Sequence, residues 1–352
     1  MPRSRSADHI LCYAQSLKGG GVERALLRLA GGWVAAGRRV TLVIGLPSGA
    51  LAHEFPAGID VVALGSAAYR AMLALPQHVH HLRPDVIFCA GSHYTGVAAW
   101  TRLRLGHACP PIVGKVSNAL VRPDHGRVAE AGHAAWLRLH PRFLDRVVAM
   151  TPASAAETAK AMGLAVGDVT VIPNPPARPI PGAAMPVLPV RYVLGVGRLA
   201  PQKRWERLIT AMPKLRERLP LVILGEGELR ADLTAQAMAI GVELVLPGHA
   251  PDPLGAMAGA AVLALTSDFE GVPGVLREAL SVGTPVVTTD STPAVGEIVT
   301  SPALGTIVAR DDAAGLVAAL EYWLGAARPA PVEPPGADSA ARYLALFDSL
   351  MA

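Results

Sequence analysis

The sequence predicts an α/β protein made of two doubly wound, Rossmann-like domains. Three observations carry this: short apolar runs alternate with helical stretches, a proline-rich break divides the alternation into two rounds, and 352 residues are long for one hydrophobic core. In the first round the apolar runs fall at residues 9–14, 40–44, 61–63, 86–89, 112–115, 147–150 and 169–172, with helical stretches at 22–35, 97–105 and 152–162 between them. That order implies a parallel sheet with helices on both faces. The break begins at Ile172-Pro173-Asn174-Pro175-Pro176 and stays rich in proline to Pro189. The first domain is therefore placed at 1–178 and the linker at 179–190. The second round has apolar runs at 192–196, 221–224, 242–246, 261–265, 285–288 and 306–308, which place the second domain at 191–330. A second Pro/Ala-rich stretch at 326–336 leads to a final helix near 339–350, within a terminal segment 331–352. Two doubly wound units place a ligand at the carboxyl ends of their strands, in a cleft between them.

Composition narrows the function. Hydrophobic residues make up 51% of the chain and charged residues 17%, which fits well-buried layers and excludes disorder. Cys12, Cys89 and Cys109 have neither metal-binding nor redox spacing, so a reducing cytoplasm is expected. Residues 1–10 lack the apolar core of a signal peptide. No uninterrupted apolar run approaches the roughly 18 residues needed to span a bilayer, so the expected location is cytoplasmic, with peripheral membrane contact. Charge is split: residues 1–180 hold 19 Lys/Arg against 10 Asp/Glu, a net of +9, while the remainder carries −5. The basic half calls for an anionic partner. At 5% aromatic content and with no recognised module, nucleic acid does not fit. An anionic membrane surface or an anionic lipid-linked acceptor does. The segment 133–143, with Trp136, Leu137, Arg138 and Arg142, has the mix of an interfacial helix, and reads equally as an amphipathic helix with a buried tryptophan.

The most informative stretch runs from Ser267 to Leu280, where Glu270 and Glu278 bracket seven residues. The run 261–265 leads in as a buried strand, so the segment reads as strand, sharp turn and helix start. A helix start offers N–H groups without intrahelical partners and a dipole that favours negative charge. Pro273 suits the first helical turn, where no N–H is needed. Gly271 and Gly274 let the backbone approach a ligand. Glu278, one turn in, is placed to accept hydrogen bonds from hydroxyls. Phosphate at the helix start with hydroxyl acceptors on both sides describes a nucleotide-sugar site.

Three further loops follow strands. Lys18-Gly19-Gly20-Gly21-Val22-Glu23-Arg24 follows the first, and its glycines admit a diphosphate and sugar. A dinucleotide fingerprint would need glycine where Arg24 stands. Glu23 also suits plain helix capping, since acids favour the first turn. Gly195-Val196-Gly197-Arg198, leading to Gln202-Lys203, opens the second round; Arg198 and Lys203 lie five positions apart, able to meet one diphosphate. Gly225-Glu226-Gly227 follows the next strand, and Gly248-His249 the one after.

Together these residues resemble the family-4 retaining glycosyltransferases of the GT-B fold (glycosyl transferases group 1). The Glu-(seven residues)-Glu signature, the intervening Gly-Val-Pro, the Gly-Gly-x-Glu loop, the Gly-Arg-Leu…Gln-Lys motif and the Gly-x-Gly turn all match. The resemblance implies that Arg198, Lys203 and Glu270 carry the chemistry. It places the donor against Gly20, Gly21, Gly197, Gly225, Gly248, His249, Val272, Pro273, Gly274, Val275, Leu276 and Glu278. Glu270 would bind sugar hydroxyls and Glu278 the ribose. The resemblance also implies that the final helix crosses back to the first domain. No metal or other cofactor is implied, the nucleotide sugar being a substrate, and the acceptor would be lipid-linked or an oligosaccharide. One departure stands out: many relatives carry a histidine after the fifth strand, where this chain has Ser117-Asn118. Ser117 and Asn118, with Glu23 and with His93 after the fourth strand, are the candidates for the sugar or acceptor side. Two other readings are a nucleotide-sugar epimerase, which would draw its acid/base groups from Glu23, Asp85, Asp124 and Glu130, and a non-catalytic sugar-nucleotide-binding subunit.

Overall fold

The computed structural model describes residues 6–18, 20–120, 126–179, 186–250 and 252–351. Gly19, Asp124 and residues 180–185 of the expected linker lie outside the described residues. The chain forms two compact units. The first runs to Pro175 and takes the chain up again from Pro335; the second is Pro176–Pro334.

The first unit holds a seven-stranded sheet: β1 (His9–Ser16), β2 (Arg39–Leu46), β3 (Ile59–Ala63), β4 (Val86–Cys89), β5 (Ile112–Lys115), β6 (Arg146–Ala149) and β7 (Val169–Val171). Its helices are α1 (Gly21–Ala35), α2 (Leu75–Leu82), α3 (Thr95–Leu105), α4 (Arg127–Leu139) and α5 (Pro152–Met162). The second unit holds β8 (Val193–Val196), β9 (Leu221–Leu224), β10 (Leu244–Gly248), β11 (Val262–Leu265), β12 (Val286–Thr289) and β13 (Gly305–Val308). Its helices are α6 (Trp205–Ala211), α7 (Arg230–Ala239), α8 (Pro253–Gly259), α9 (Gly274–Ser281) and α10 (Ala313–Gly325); α11 (Ser339–Asp348) belongs to the first unit.

Every strand pair is parallel, in the orders β3-β2-β1-β4-β5-β6-β7 and β10-β9-β8-β11-β12-β13. The central strands are buried on both faces: β4, β5, β9, β11 and β12 are buried at every position, which is why they read as unbroken apolar runs. Each order reverses once, between β1 and β4 and between β8 and β11. At such a switch point the crossover helices leave to opposite sides and open a crevice beyond the carboxyl ends. Each unit therefore has its own place for a ligand, set by topology alone.

The helix α11 packs against α1 in the core of the first unit. Trp33 of α1 meets Phe347 and Tyr343 of α11 edge-on at ring distances of 5.2 and 5.9 Å. A Cβ on Gly32 would lie 2.6 Å from the Ala340 Cβ, so the small residue sets how closely the helices approach. Within α4, Trp136 is half-buried, stacked on Phe143 at 5.4 Å, with Nε1 donating to Thr95 Oγ1 at 3.4 Å. The tryptophan is thus a packing residue, while Val128 and Leu139 of the same helix are exposed. Among the described residues no helix is long and apolar enough to cross a membrane.

Candidate functional site

The switch point of the second sheet gathers the motif residues of that unit. The loop leaving β8 carries Gly197, Arg198 and Lys203, and the loop leaving β11 carries Ser267 to Glu270. Lys203 Nζ donates to Glu270 Oε1 at 2.5 Å, and Ser267 Oγ donates to the same oxygen at 2.6 Å. Both ionic side chains are largely covered, with 13% and 11% exposure. A charge-assisted bond in such surroundings is held more strongly than a surface pair. Gly197 makes room for it, since a Cβ there would stand 3.0 Å from Lys203 Cε.

The backbone fixes the pair before any ligand arrives. Asp268 N donates to Gln202 O (2.9 Å) and Gln202 Nε2 to Phe269 O (3.0 Å), stitching the two loops together. Buried Thr266 places its Oγ1 at 3.1 and 3.0 Å from the Lys203 and Arg204 carbonyls. Arg204 itself sits in the left-handed region at φ 52°, a local cost that the surrounding bonds offset. Trp205, fully buried, donates Nε1 to Arg198 O at 2.9 Å and so shapes the turn from below. Arg198 is exposed, its Nη2 3.4 Å from Gln202 Oε1.

The glycine turns pack directly on this loop. A Cβ on Gly225 would fall 1.9 Å from Gly197 O, and one on Gly227 would fall 2.2 Å from Leu199 O. Gly225 N donates to Gly248 O at 2.8 Å, which joins the ends of β9 and β10. Because both partners are backbone, neither can swing aside. Gly225→Ala is expected to destabilise the second unit by about 1–3 kcal/mol, read as a lower urea midpoint with unchanged slope. His249 is half-buried beside this turn, within electrostatic reach of Glu226.

The helix α9 begins at Gly274, so Pro273 stands at its N-cap with φ −74° and ψ 91°, one position before the helical turn expected for it. Pro273 is buried and Gly274 exposed. Leu276 is a fully buried core residue whose N–H donates to Pro273 O at 3.2 Å, so its side chain serves packing. Val272 and Val275 are partly buried against the same core. Glu278 is half-buried one turn into the helix.

The switch point of the first sheet gathers a second polar cluster. Gly20 caps α1 in extended backbone, and Glu23 folds back over it; a Cβ on Gly20 would lie 2.6 Å from Glu23 Oε2. At Gly21 an added Cβ would meet nothing within 4 Å. Tyr94 Oη donates to Glu23 Oε1 at 2.9 Å and receives Gln15 N at 3.2 Å. His93 is exposed, with Nε2 2.8 Å from Gln15 Oε1. Ser117 lies close by, its N donating to Ser92 Oγ at 3.4 Å, while its own buried Oγ has no hydrogen-bond partner among the described residues. Asn118 is exposed.

Four members of this cluster escaped sequence reasoning: Tyr94, Gln15, Lys115 and Asn174. Lys115 ends β5 and is buried, donating from Nζ to Asn174 Oδ1 at 3.0 Å. A lysine at the end of an otherwise apolar strand was the available signal. In the second unit Thr266 escaped, since a hydroxyl beside a motif carries no pattern of its own, and Ser267 and Gln202 stand inside the motifs without any sign in the sequence of the bonds they make. Among the described residues no three His, Cys, Asp or Glu side chains converge as a ligand set for a metal.

These loops coincide with two matching family models. Glycosyltransferase Family 4 matches residues 19–175, and Glycosyl transferases group 1 matches residues 188–328. The chain belongs to glycosyltransferase family 4 and has the GT-B fold. Among its relatives is the N-acetylgalactosamine-N,N'-diacetylbacillosaminyl-diphospho-undecaprenol 4-alpha-N-acetylgalactosaminyltransferase of Campylobacter jejuni, 36% identical over 35% of this chain and 34% of that protein. An uncharacterized glycosyltransferase of Methanocaldococcus jannaschii is 31% identical over 28% of this chain and 25% of its own. The chain thus aligns with about a third or less of the length of these curated relatives. Solved structures align with nearly all of it. The Anabaena HepE complex with UDP and glucose superposes with TM-score 0.70 at 20% identity, covering 97% of this chain and 95% of that one. WaaG, described as a glycosyltransferase involved in lipopolysaccharide biosynthesis, gives 0.66 at 19%, covering 97% of each. In this family-4 chain the two switch points thus carry, respectively, the Gly-Gly-x-Glu loop and the Lys203–Glu270 pair.

Proposed function

We propose that this chain is a retaining, metal-independent glycosyltransferase. It moves a hexose or N-acetylhexosamine from a UDP-sugar to a lipid-linked or oligosaccharide acceptor in cell-envelope glycan synthesis. The observation that carries the reading is the covered Lys203–Glu270 pair, completed by Ser267, at the switch point of the second sheet. An ammonium has three donors, and one goes to Glu270, so the others can meet a departing diphosphate. Charge builds on that diphosphate as the glycosidic bond breaks, and a fixed cation in a largely covered site stabilises it more than the ground state. Arg198 and the start of α9 would share the diphosphate, Glu270 the sugar hydroxyls, Glu278 the ribose and His249 the base. The acceptor hydroxyl would attack on the face the diphosphate leaves, with the leaving phosphate taking its proton.

The relatives support the substrate classes: HepE is described with UDP and glucose, and the Campylobacter enzyme is named for an undecaprenol-linked acceptor. The net charge of +9 over residues 1–180, and the exposed Val128 and Leu139 on α4, support peripheral contact with the inner face of an anionic membrane. The epimerase reading fares less well. Asp85 precedes β4 at the amino edge of the first sheet, bonded to His9 N at 2.9 Å, and Glu130 is exposed on α4; Asp124 lies outside the described residues.

The test incubates the protein with labelled UDP- and GDP-sugars and a lipid extract, with and without EDTA, and follows nucleotide release and labelled lipid. Labelled lipid from a UDP-sugar, unaffected by EDTA and with the anomeric configuration of the donor by NMR, is expected. Glu278→Ala should raise the donor KM about tenfold or more, and Arg198→Ala should lower turnover by about tenfold or more. Epimerised donor without transfer would favour the epimerase. No turnover and no nucleotide-induced thermal shift would sink both enzyme readings.

A further inference from the structure

The loop that carries Glu270 has no regular structure of its own: residues 266–273 lie between β11 and α9 and belong to neither. Its order rests on side-chain and turn bonds, and several of them converge on Asp268, two positions before Glu270. Arg207 Nη1 of α6 stands 2.6 Å from Asp268 Oδ1, and Arg204 Nε, just before the same helix, stands 3.5 Å from Oδ2. Arg310 Nη1, beyond β13, donates to the Asp268 carbonyl at 3.2 Å. Arg207 Nη1 also donates to Thr266 O at 3.2 Å, so one guanidinium spans the loop from the strand end to the aspartate. The arginines are balanced in turn. Glu206 Oε1 lies 2.9 Å from Arg204 Nε as an ion pair without hydrogen-bond geometry, and Asp311 Oδ1 accepts from Arg207 Nη2 at 3.1 Å. An isolated surface pair contributes little, because solvent screens it and long side chains lose freedom. Here the charges form a network whose inner pair is the better covered, with 19% exposure for Arg207 and 32% for Asp268 against 96% for Asp311. Arg204 joins it from left-handed backbone at φ 52°, where glycine would cost less strain but bring no charge. Because Arg204 adjoins Lys203 in sequence, the network ties the backbone beside the ammonium to the backbone leading into the carboxylate.

We propose that Asp268 is a positioning residue: clamped by Arg207 and Arg204, it holds the β11 loop so that Glu270 keeps the Lys203 ammonium in place for a departing diphosphate. The proposal rests on the glycosyltransferase reading for what the ammonium does, and on these contacts for its geometry. Asp268 acts through Glu270 and meets no substrate itself. Without its carboxylate, Arg204 and Arg207 lose a shared counter-charge and the loop loses the contact that fixes its entry to the Glu270 turn. Lys203 and Glu270 would still meet a nucleotide, but with more freedom, and a misplaced charge costs rate before affinity.

The experiment compares Asp268→Ala, Asp268→Asn, Lys203→Met and the Asp268→Ala/Lys203→Met double variant in the full chain. It measures kcat and KM for a UDP-sugar and lipid acceptor, and UDP affinity by calorimetry. Asp268→Ala should lower kcat by about 5–20-fold while donor KM and UDP affinity stay within about twofold of wild type. Asp268→Asn, which keeps an acceptor for Arg207 without the charge, should lose less. In the Lys203→Met background Asp268→Ala should cost less than about twofold more, because the group it positions is already gone. Wild-type kcat in Asp268→Ala, losses that multiply in the double variant, or UDP affinity falling in step with kcat would overturn the proposal, the last by marking a merely structural role. If wild type transfers no sugar at all, the enzymatic reading fails by itself, and thermal unfolding decides the clamp. Asp268→Ala should then lower Tm when Arg207 is present and leave it nearly unchanged in an Arg207→Met background; equal shifts in both would refute the coupling.

Discussion

Replacing Lys203 with methionine is expected to lower glycosyl transfer by about 10²–10³-fold, the scale set by removing one fixed group that stabilises developing charge. The size follows from where the ammonium sits. Its stem lies against Gly197, its charge is 2.5 Å from Glu270 Oε1, and little of either side chain meets water. On the proposed reading a cation so placed would need no reorganisation as a diphosphate leaves, whereas exposed Arg198 would have to be ordered on binding and is screened by solvent. The predicted order is therefore Lys203→Met well below Arg198→Ala in kcat. On the proposed reading the loss should appear in kcat at saturating donor more than in KM, because the charge Lys203 would serve develops on the way to the transition state. Lys203→Met also leaves Glu270 with Ser267 Oγ as the donor to that oxygen, a cost of about 1–3 kcal/mol in unfolding free energy. That cost is separable: a thermal melt shows the variant folded, and UDP binding by calorimetry shows the rest of the site intact. Activity within threefold of wild type would show that the pair is structural and would remove Lys203 from the chemistry.

The sequence made the sheets legible because parallel strands buried on both faces leave an unmistakable trace. Among the described residues all thirteen strands overlap an apolar run of the sequence, with ends differing by only a few residues. The helix α2 was harder to see, since Leu75–Leu82 carries three histidines and a proline and offers few apolar positions to count. The loops after β8 and β11 were legible for a different reason: glycines forced by backbone approach, such as Gly225 against Gly197 O, cannot drift in sequence without a steric penalty. What the sequence hid was contact across elements. Ser267 and Thr266 look like ordinary strand-end residues until the fold brings one onto Glu270 and the other onto the Lys203 carbonyl. Tyr94 and Gln15 stand 79 positions apart and meet because β1 and β4 are neighbours at the switch point. Lys115 closes an apolar run and Asn174 stands in a proline-rich break, and nothing in the sequence joins them. Only the β5–β6–β7 pairing brings the two together.

Trp33→Ala is expected to cost the first unit about 3–5 kcal/mol, the range for removing a large aromatic from a packed core. Trp33 is fully buried and meets Phe88 of β4 and Phe347 of α11 edge-on, both at 5.2 Å, with Tyr343 at 5.9 Å. The ring joins a sheet strand, the first helix and the last helix, so its removal takes contacts from all three. The last helix should suffer most, because the chain returns to this unit only from Pro335 onward and α11 is ten residues long. An isolated helix of that length is marginal in water and relies on its packed face. The variant should therefore lose a large fraction of a typical domain's 5–15 kcal/mol. It should also become more sensitive than wild type to protease near residues 335–338. Urea unfolding should show the transition of the first unit shifted and that of the second unit unmoved. Two companions set the scale. The Trp33 Nε1 and Tyr343 Oη groups are buried without hydrogen-bond partners among the described residues. Trp33→Phe should thus cost well under half of Trp33→Ala, and Tyr343→Phe should be neutral or stabilising, since each removes a polar group that burial penalises. A Trp33→Ala protein with wild-type stability and an uncleaved tail would mean that α11 is held chiefly by contacts outside this aromatic cluster.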